Sequence, residues 1–234
     1  MRRILTTLLI TACAAGATSL AVLRTDKEIV IAADSRLTRF SSADSAPDMC
    51  KVRQTGNAIA AFVGLVRARG GRPTINFDAV GTVEAVLDEK GTLAEKAEQI
   101  KAVLGDQLEK VTAFAPRAEL DKLSGFLLGV VIAGEDEYEP VLKLHYVHFM
   151  LERGGGMVSK LVLCPGEGCP RGAVRITAPP AQNLGVQADG VAWAHGYVQS
   201  QIDRGVPTIG GPLQLVKITH QGLTWIDQPL ICSK

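Results

Sequence analysis

At 234 residues the chain is long enough for one domain, or at most two. Its 47% hydrophobic and 21% charged residues fit an ordinary globular protein and exclude a disordered or fibrous one. The 25 Lys and Arg nearly balance the 24 Asp and Glu, and no basic run stands out, so nucleic acid is not an expected partner.

The N-terminus departs from this composition. "MRR" is a positive n-region, "ILTTLLITACAAGA" is apolar and uncharged, and Ala15-Gly16-Ala17 is a small-x-small cleavage site. Cutting after Ala17 leaves Thr18 first. The expected layout is a signal peptide or pro-segment over residues 1–17 and a single domain over residues 18–234. Export to a periplasmic or extracellular space is expected. Two other readings stand beside it: "ITAC" resembles a lipobox that would acylate Cys13, and the segment could be a cytoplasmic pro-segment that the protein removes itself. Residues 4–23 carry no charge, and ~20 apolar residues can span a bilayer. The segment is rich in Thr, Ala and Ser, however, and its second half alternates like a strand, so no stable span is expected in the mature form.

Residues 18–66 read as strands. "TSLAVLRT" and "EIVIAAD" flank the turn Asp26-Lys27, and "KVRQT" and "AIAAFVG" flank Gly56-Asn57. "FSSADSAPD" between them reads as a loop, and "RARGGRPT" ends the run. Residues 76–112 read as a helical hairpin. Val80, Val83 and Val86 form one apolar stripe; Leu93, Ala97, Ile100, Leu104, Leu108 and Val111 form a longer one. Gly91 can stop the first helix, and Thr92 with Glu95 is a capping box for the second. Strands return in "GFLLGVVIAG", "PVLKLHYVHF", "KLVLC" and "AVRIT". One helix follows near Asp189 to Arg204, with Val191, His195, Val198 and Ile202 on one face. A last hairpin turns at Gln221-Gly222. The order predicts an α+β fold.

Cys164 and Cys169 in "CPGEGC" could close a small disulfide loop in an oxidising compartment. No CxxC is present and the histidines are scattered, so no metal site and no cofactor is expected. His145 and His148 fall on opposite faces of a strand. His195 is expected to be a packed core histidine, Trp193 and Trp225 to be packing residues, and Ser124 has no visible base partner.

Counting through the first hairpin places chemistry at the predicted chain end. With Asp26 and Lys27 as the turn, paired positions sum to 53, so Thr18 faces Ser35 and Asp34 lies within one residue of Thr18. A free N-terminal Thr carries its own base, because the α-amine (pKa roughly 7.7–8.0) can take the proton of the hydroxyl. A nearby lysine would lower that pKa further and Asp34 would oppose the shift. Read alone, Asp34 could equally end a strand.

"TSLAVLRTDKEIVIAADSRLT" resembles the opening of proteasome β-subunits and their bacterial relatives among the N-terminal-nucleophile hydrolases. Ala32-Ala33-Asp34-Ser35-Arg36-Leu37-Thr38 matches that family's A-A-D-x-R-x-T, Lys51 in "CKVRQ" matches its lysine, and Gly64 in "AAFVGLV" its oxyanion glycine. The likeness covers residues 18–66 most closely, extends over the helical hairpin and "LLGVVIAGEDEYEPVLKLHYV", and returns in "IGGPLQLVKIT". It implies a four-layer αββα sandwich. It implies Thr18 as nucleophile and base, Asp34 and Lys51 as the groups that tune and orient it, and the Gly64 N–H as oxyanion donor. Thr38 would contact substrate backbone, and Leu37, Met49, Phe62 and Val66 would line an apolar specificity pocket. The implied activity is hydrolysis of an amide, in a peptide or a small molecule, by a homo-oligomer. The chain departs from the family where a helper Ser is usual, with Val186 in "LGVQADG", and where an Asp and a Ser are usual, with Val206 and Ile209 in "VPTIGG". It also has room for one helix where two are normal. A proteasome-like scaffold or binding protein with weak or no catalysis is the alternative.

Overall fold

The computed structural model describes residues 19–36, 48–70, 75–114, 125–136, 140–152, 156–166, 169, 172–177, 182–185, 189–205, 208–229 and 232. The chain begins with a hairpin, β1 (Ser19–Arg24) and β2 (Glu28–Ala33), closed where Thr25 N–H donates to Glu28 O at 2.8 Å. Leu20 faces Ala33 and Arg24 faces Ile29, the register that counting predicts. Alternation sorts the strand residues. Leu20, Val22, Ile29 and Ile31 point into one apolar cluster, and Ala21, Leu23, Val30 and Ala32 into another. Both faces of this hairpin are therefore buried.

Next come β3 (Val52–Thr55) and β4 (Ala58–Gly64), a hairpin as expected. The segment "RARG" does not end the strands. It forms β5 (Arg67–Gly70), which pairs with β6 (Ile75–Asp78) where the helical hairpin was expected to start. Asp78 then caps α1 (Ala79–Asp88), its Oδ1 accepting from Gly81 N–H at 3.2 Å. Helix α2 (Leu93–Phe114) opens with the predicted capping box. Glu95 N–H donates to Thr92 Oγ1 at 3.2 Å, and Thr92 N–H donates back to Glu95 Oε2 at 2.8 Å. Its buried residues are the predicted stripe.

The remaining elements are β7 (Phe126–Glu135), β8 (Leu142–Leu151), β9 (Met157–Cys164), β10 (Gly172–Thr177), β11 (Gln182–Gly185), α3 (Gly190–Asp203), β12 (Gln214–Thr219) and β13 (Gly222–Asp227). One antiparallel sheet has the order β11-β10-β1-β2-β12-β13, a second β3-β4-β7-β8-β9, and β5-β6 is a third. One apolar cluster lies between α1, α2 and the five-stranded sheet; a second lies between the two large sheets; a third lies between the six-stranded sheet and α3.

The α+β fold that the order of elements predicted, and the four-layer αββα sandwich that the resemblance implied, are corrected by this architecture. Far more of the described residues are in strands than in helices, in three antiparallel sheets with three helices. Among the described residues the 14-residue α3 is the one helix on the outer face of the six-stranded sheet, where the expected sandwich carries a layer of helices. The pair β5-β6 adds a third sheet that a sandwich of two does not contain.

Helix α3 also rotates away from its predicted face. Its buried residues are Gly190, Ala194 and Val198, with Val191, Trp193, Tyr197 and Ile202 packed beside them; His195 is exposed rather than a core histidine. The cause is Gly190, where a Cβ would stand 2.9 Å from Leu23 Cδ2. The bare backbone lets the helix start close to the sheet, and the stripe through Gly190 becomes the contact. Trp193 stacks on Tyr197 at 6.1 Å, a packing role as expected.

Two disulfides are formed. Cys164–Cys169 closes the small loop that the sequence allowed, and Cys50–Cys232 joins residues 182 apart.

Candidate active site

Asp34 follows the last residue of β2, inside the protein and inaccessible to solvent. Its Oδ1 accepts from Ser19 N–H at 2.9 Å and from Lys51 Nζ at 3.0 Å. Its Oδ2 accepts from Lys51 Nζ at 3.0 Å and from the N–H groups of Arg36 and Gly210, each at 3.2 Å. Lys51 is 2% exposed, so this is a buried ion pair. Burial pushes the Asp34 carboxyl above the usual carboxylate range and pulls the Lys51 ammonium below the usual lysine range. In each case the attraction of the partner opposes the shift, and the backbone N–H groups of Ser19 and Gly210 also favour the ionised carboxylate. Asp48 and Arg36 add opposing charges near Lys51, Asp48 raising its pKa and Arg36 lowering it.

The lysine is delivered by a short segment ahead of β3. Met49 N–H donates to Ser35 O at 2.8 Å, and Phe62 N–H donates to Lys51 O at 2.9 Å, extending the β3-β4 ladder by one step. The side chain of Gln214 closes the arrangement. Its Nε2 donates to Met49 O at 3.1 Å and its Oε1 accepts from Val52 N–H at 2.7 Å. Gln214 is fully buried and sits opposite Ala33 in the β2-β12 register, next to Asp34. One amide therefore brackets Cys50 and Lys51 from both sides.

Gly210 supplies a second support. Its O accepts from Ser35 N–H at 3.1 Å and from Arg36 N–H at 2.9 Å, while its own N–H goes to Asp34. The Arg36 guanidinium lies against it, where any Cβ would collide. Neither Gln214 nor Gly210 stood out in the sequence. The available signal was a glutamine inside the apolar strand "LQLVKIT", since a buried amide must be hydrogen-bonded.

Gly64 ends β4 at φ +94, two residues beyond Phe62, whose N–H donates to Lys51 O. A side chain there would collide with the Leu127 carbonyl, so glycine is required on two grounds. Phe62 and Val66 are buried in the cluster beneath the helices, and Met49 packs partly buried against the same cluster. All three belong to this one large cluster, and Met49 alone among them is not fully buried. Ile209 is buried, and the hydroxyls of Ser19 and Ser35 are buried without a hydrogen-bond partner among the described residues. Thr18, Leu37, Thr38, Ser124, Val186 and Val206, with residues 1–17, lie outside the described residues.

Elsewhere, His145 is buried and His148 shares the face of Tyr146, with ring centroids 5.2 Å apart; His145 lies on the other face. Trp225 packs against the inter-sheet cluster and its Nε1 donates to Gln54 Oε1 at 3.2 Å. Among the described residues no group of three His, Cys, Asp or Glu could hold a metal ion. None of the described helices is long and apolar enough to cross a membrane.

No protein-family model matches the chain, and no curated protein matches it either. The site therefore has to be read from its own chemistry: a desolvated carboxylate–ammonium pair, one peptide unit from residue 18, held by groups from four separate parts of the chain.

Proposed function

We propose that the chain is an N-terminal threonine hydrolase that cleaves amide bonds, most naturally in peptides, after removal of residues 1–17. One observation carries this reading: the Asp34 carboxylate holds both the Ser19 N–H and the Lys51 ammonium. An ion pair buried this deeply is an expensive way to end a strand, because desolvation consumes most of its Coulomb energy. It is well suited to setting the proton affinity of a neighbouring amine.

In this mechanism the Thr18 α-amine takes the hydroxyl proton as the hydroxyl oxygen attacks the amide carbon. The C–N bond then breaks, the amine product leaves with that proton, and an ester to Thr18 remains for water to hydrolyse. Lys51 lowers the proton affinity of the α-amine through space, Asp34 orients the first peptide unit, and the Gly64 N–H faces the developing oxyanion. No metal or cofactor takes part. Export to an oxidising compartment agrees with two disulfides. A homo-oligomer is part of the proposal, and light scattering on purified protein tests it.

The second reading is a scaffold or binding protein that keeps the pair for structure. Burial of Phe62 and Val66, two of the expected pocket residues, favours it. A β-lactone or epoxyketone probe separates the two. Mature protein with Thr18 first by intact mass should be labelled at Thr18, and Thr18→Ala should not. Correctly processed wild type that resists the probe returns the chain to the scaffold reading.

A further inference from the structure

His220 lies in the turn between β12 and β13, and its ring faces two acceptors. Nδ1 stands 3.1 Å from Glu135 Oε1 at the end of β7, and Nε2 stands 3.3 Å from Asp26 O in the turn between β1 and β2. A neutral imidazole carries one N–H and can serve one of these oxygens; the imidazolium serves both. The arrangement therefore fits the charged ring. Asp26 and His220 connect strands of the six-stranded sheet, and Glu135 ends a strand of the five-stranded one. The contact thus ties two turns of one sheet to a strand end of the other. Strand β12 is held to the opposite sheet at both ends. At its start the uncharged amide of Gln214 bonds Met49 O and Val52 N–H. One residue past its end the hold passes through a ring that titrates.

We infer that His220 is a proton-operated clasp between the two sheets. Protonated, the ring joins both turns to Glu135; neutral, it keeps one N–H bond and loses its attraction to the carboxylate. The charged groups on the elements around it are Arg24 of β1, Asp26 and Lys27 of the first turn, Glu28 of β2, Lys217 of β12, and Glu135 and Asp136 at the end of β7. Lys143 of β8 pairs with Gly134 and so lies on the face away from Glu135. Glu28 pairs with Lys217 at 3.5 Å, and Arg24 Nη2 donates to Leu142 O at 3.2 Å. Glu135 is the ion-pair partner of the ring among the described residues. The bond to Glu135 first, then the bond to Asp26 O, hold the imidazole above the usual histidine range; desolvation opposes this and the Glu135 charge adds to it. The folded chain thus binds this proton more tightly than the unfolded one. The clasp is complete below about pH 6.5 and is lost as the pH rises through the folded pKa. Its load is the β12–β13 hairpin. Trp225 of that hairpin makes a second crossing, its Nε1 donating to Gln54 Oε1 of β3 at 3.2 Å, so its indole reports how firmly the hairpin sits on the other sheet.

The test uses the purified full chain with both disulfides intact. NMR follows the histidine ring signals as the pH is raised, with His220→Gln assigning the His220 line. His220 should titrate with a midpoint about half a unit or more above 6.5. Glu135→Gln should bring that midpoint down by a similar amount, and ~0.5 M salt should lower it part of the way, because the pair is exposed. Exchange of the Trp225 indole N–H, corrected for its intrinsic pH dependence, should be about threefold slower in wild type than in His220→Gln near pH 6, and equal in the two near pH 8.5. Amide exchange in α2 should be the same in both proteins. A His220 midpoint at or below 6.5 overturns the clasp. A raised midpoint that Glu135→Gln leaves in place also overturns it, since the proton then answers to another group. So does a raised, Glu135-dependent midpoint with equal Trp225 exchange in the two proteins at both pH values: the pair would then be a surface contact that holds nothing.

Discussion

Removing one member of the Asp34–Lys51 pair leaves the other charge buried and uncompensated. Breaking a buried pair this way costs about 3–5 kcal/mol, whereas replacing both members with uncharged residues of similar size costs much less. Lys51→Met should therefore lower the urea-denaturation free energy by about 3–5 kcal/mol, and the double variant Asp34→Asn, Lys51→Met by clearly less than the two single losses together. A Lys51→Met loss below ~1 kcal/mol would mean that the pair is solvated in solution. His145 makes a second prediction at this scale. Its Nδ1 accepts from Cys164 N–H at 3.2 Å, so the neutral ring carries its proton on Nε2, which has no partner among the described residues. Burial, helped by Lys143, pulls its pKa from 6.5 to about 4. The unfolded chain thus binds the proton more readily than the folded one. Stability is complete above about pH 6.5 and falls as the pH drops towards 4, by about 3 kcal/mol in all. His145→Gln keeps an acceptor without a titrating group, and its stability should be much flatter over the same range. Equal acid slopes for the two proteins would contradict this assignment.

At the scale of single elements, the segment leading into β3 depends on Gln214. Gln214→Leu keeps the bulk but orphans Val52 N–H and Met49 O, each costing about 1–3 kcal/mol if it stays dry. Amide exchange at Val52 should accelerate strongly in that variant, while exchange in α2 should change only with global stability. Elements with local causes were legible in the sequence. The β1-β2 register followed from a two-residue turn and period-2 alternation, and α2 followed from its capping box and its run of threes and fours. Asp34 was legible for the same reason, because counting across one hairpin reaches it. The partners of Asp34 and Lys51 from late in the chain were not. Gly210 lies 176 residues from Asp34, and Gln214 lies 162 from Val52; no local pattern carries such a pairing. Helix α3 was misread because helical period alone does not choose between adjacent stripes. The close approach at Gly190 chose, and that depends on Leu23 and Val30 in the sheet below.

Across the whole molecule the two disulfides should differ in weight. Chain-entropy reasoning gives about 5 kcal/mol for closure of a loop as long as Cys50–Cys232 and about 2 kcal/mol for one as short as Cys164–Cys169. Thermal denaturation of the paired serine variants should preserve that order, and a larger loss for the Cys164–Cys169 pair would refute it. The sequence suggested only the Cys164–Cys169 loop; the Cys50–Cys232 link, between residues 182 apart, was not expected from it. The global architecture was not legible either. The family likeness implied two helical layers, but the sequence between β11 and β12 supports a single helix, and "RARG" had strand partners that no periodicity announced.

The position of β12 also sets an order of events during synthesis. Asp34 and Lys51 both leave the ribosome early, but the Gly210 N–H and the Gln214 amide that enclose them are translated some 160 residues later. Until β12 docks beside β2, the lysine has no dry environment and its proton affinity stays that of an ordinary solvated amine. The nascent chain therefore carries Asp34 and Lys51 as solvated charges, and their burial coincides with the docking of β12 in the six-stranded sheet.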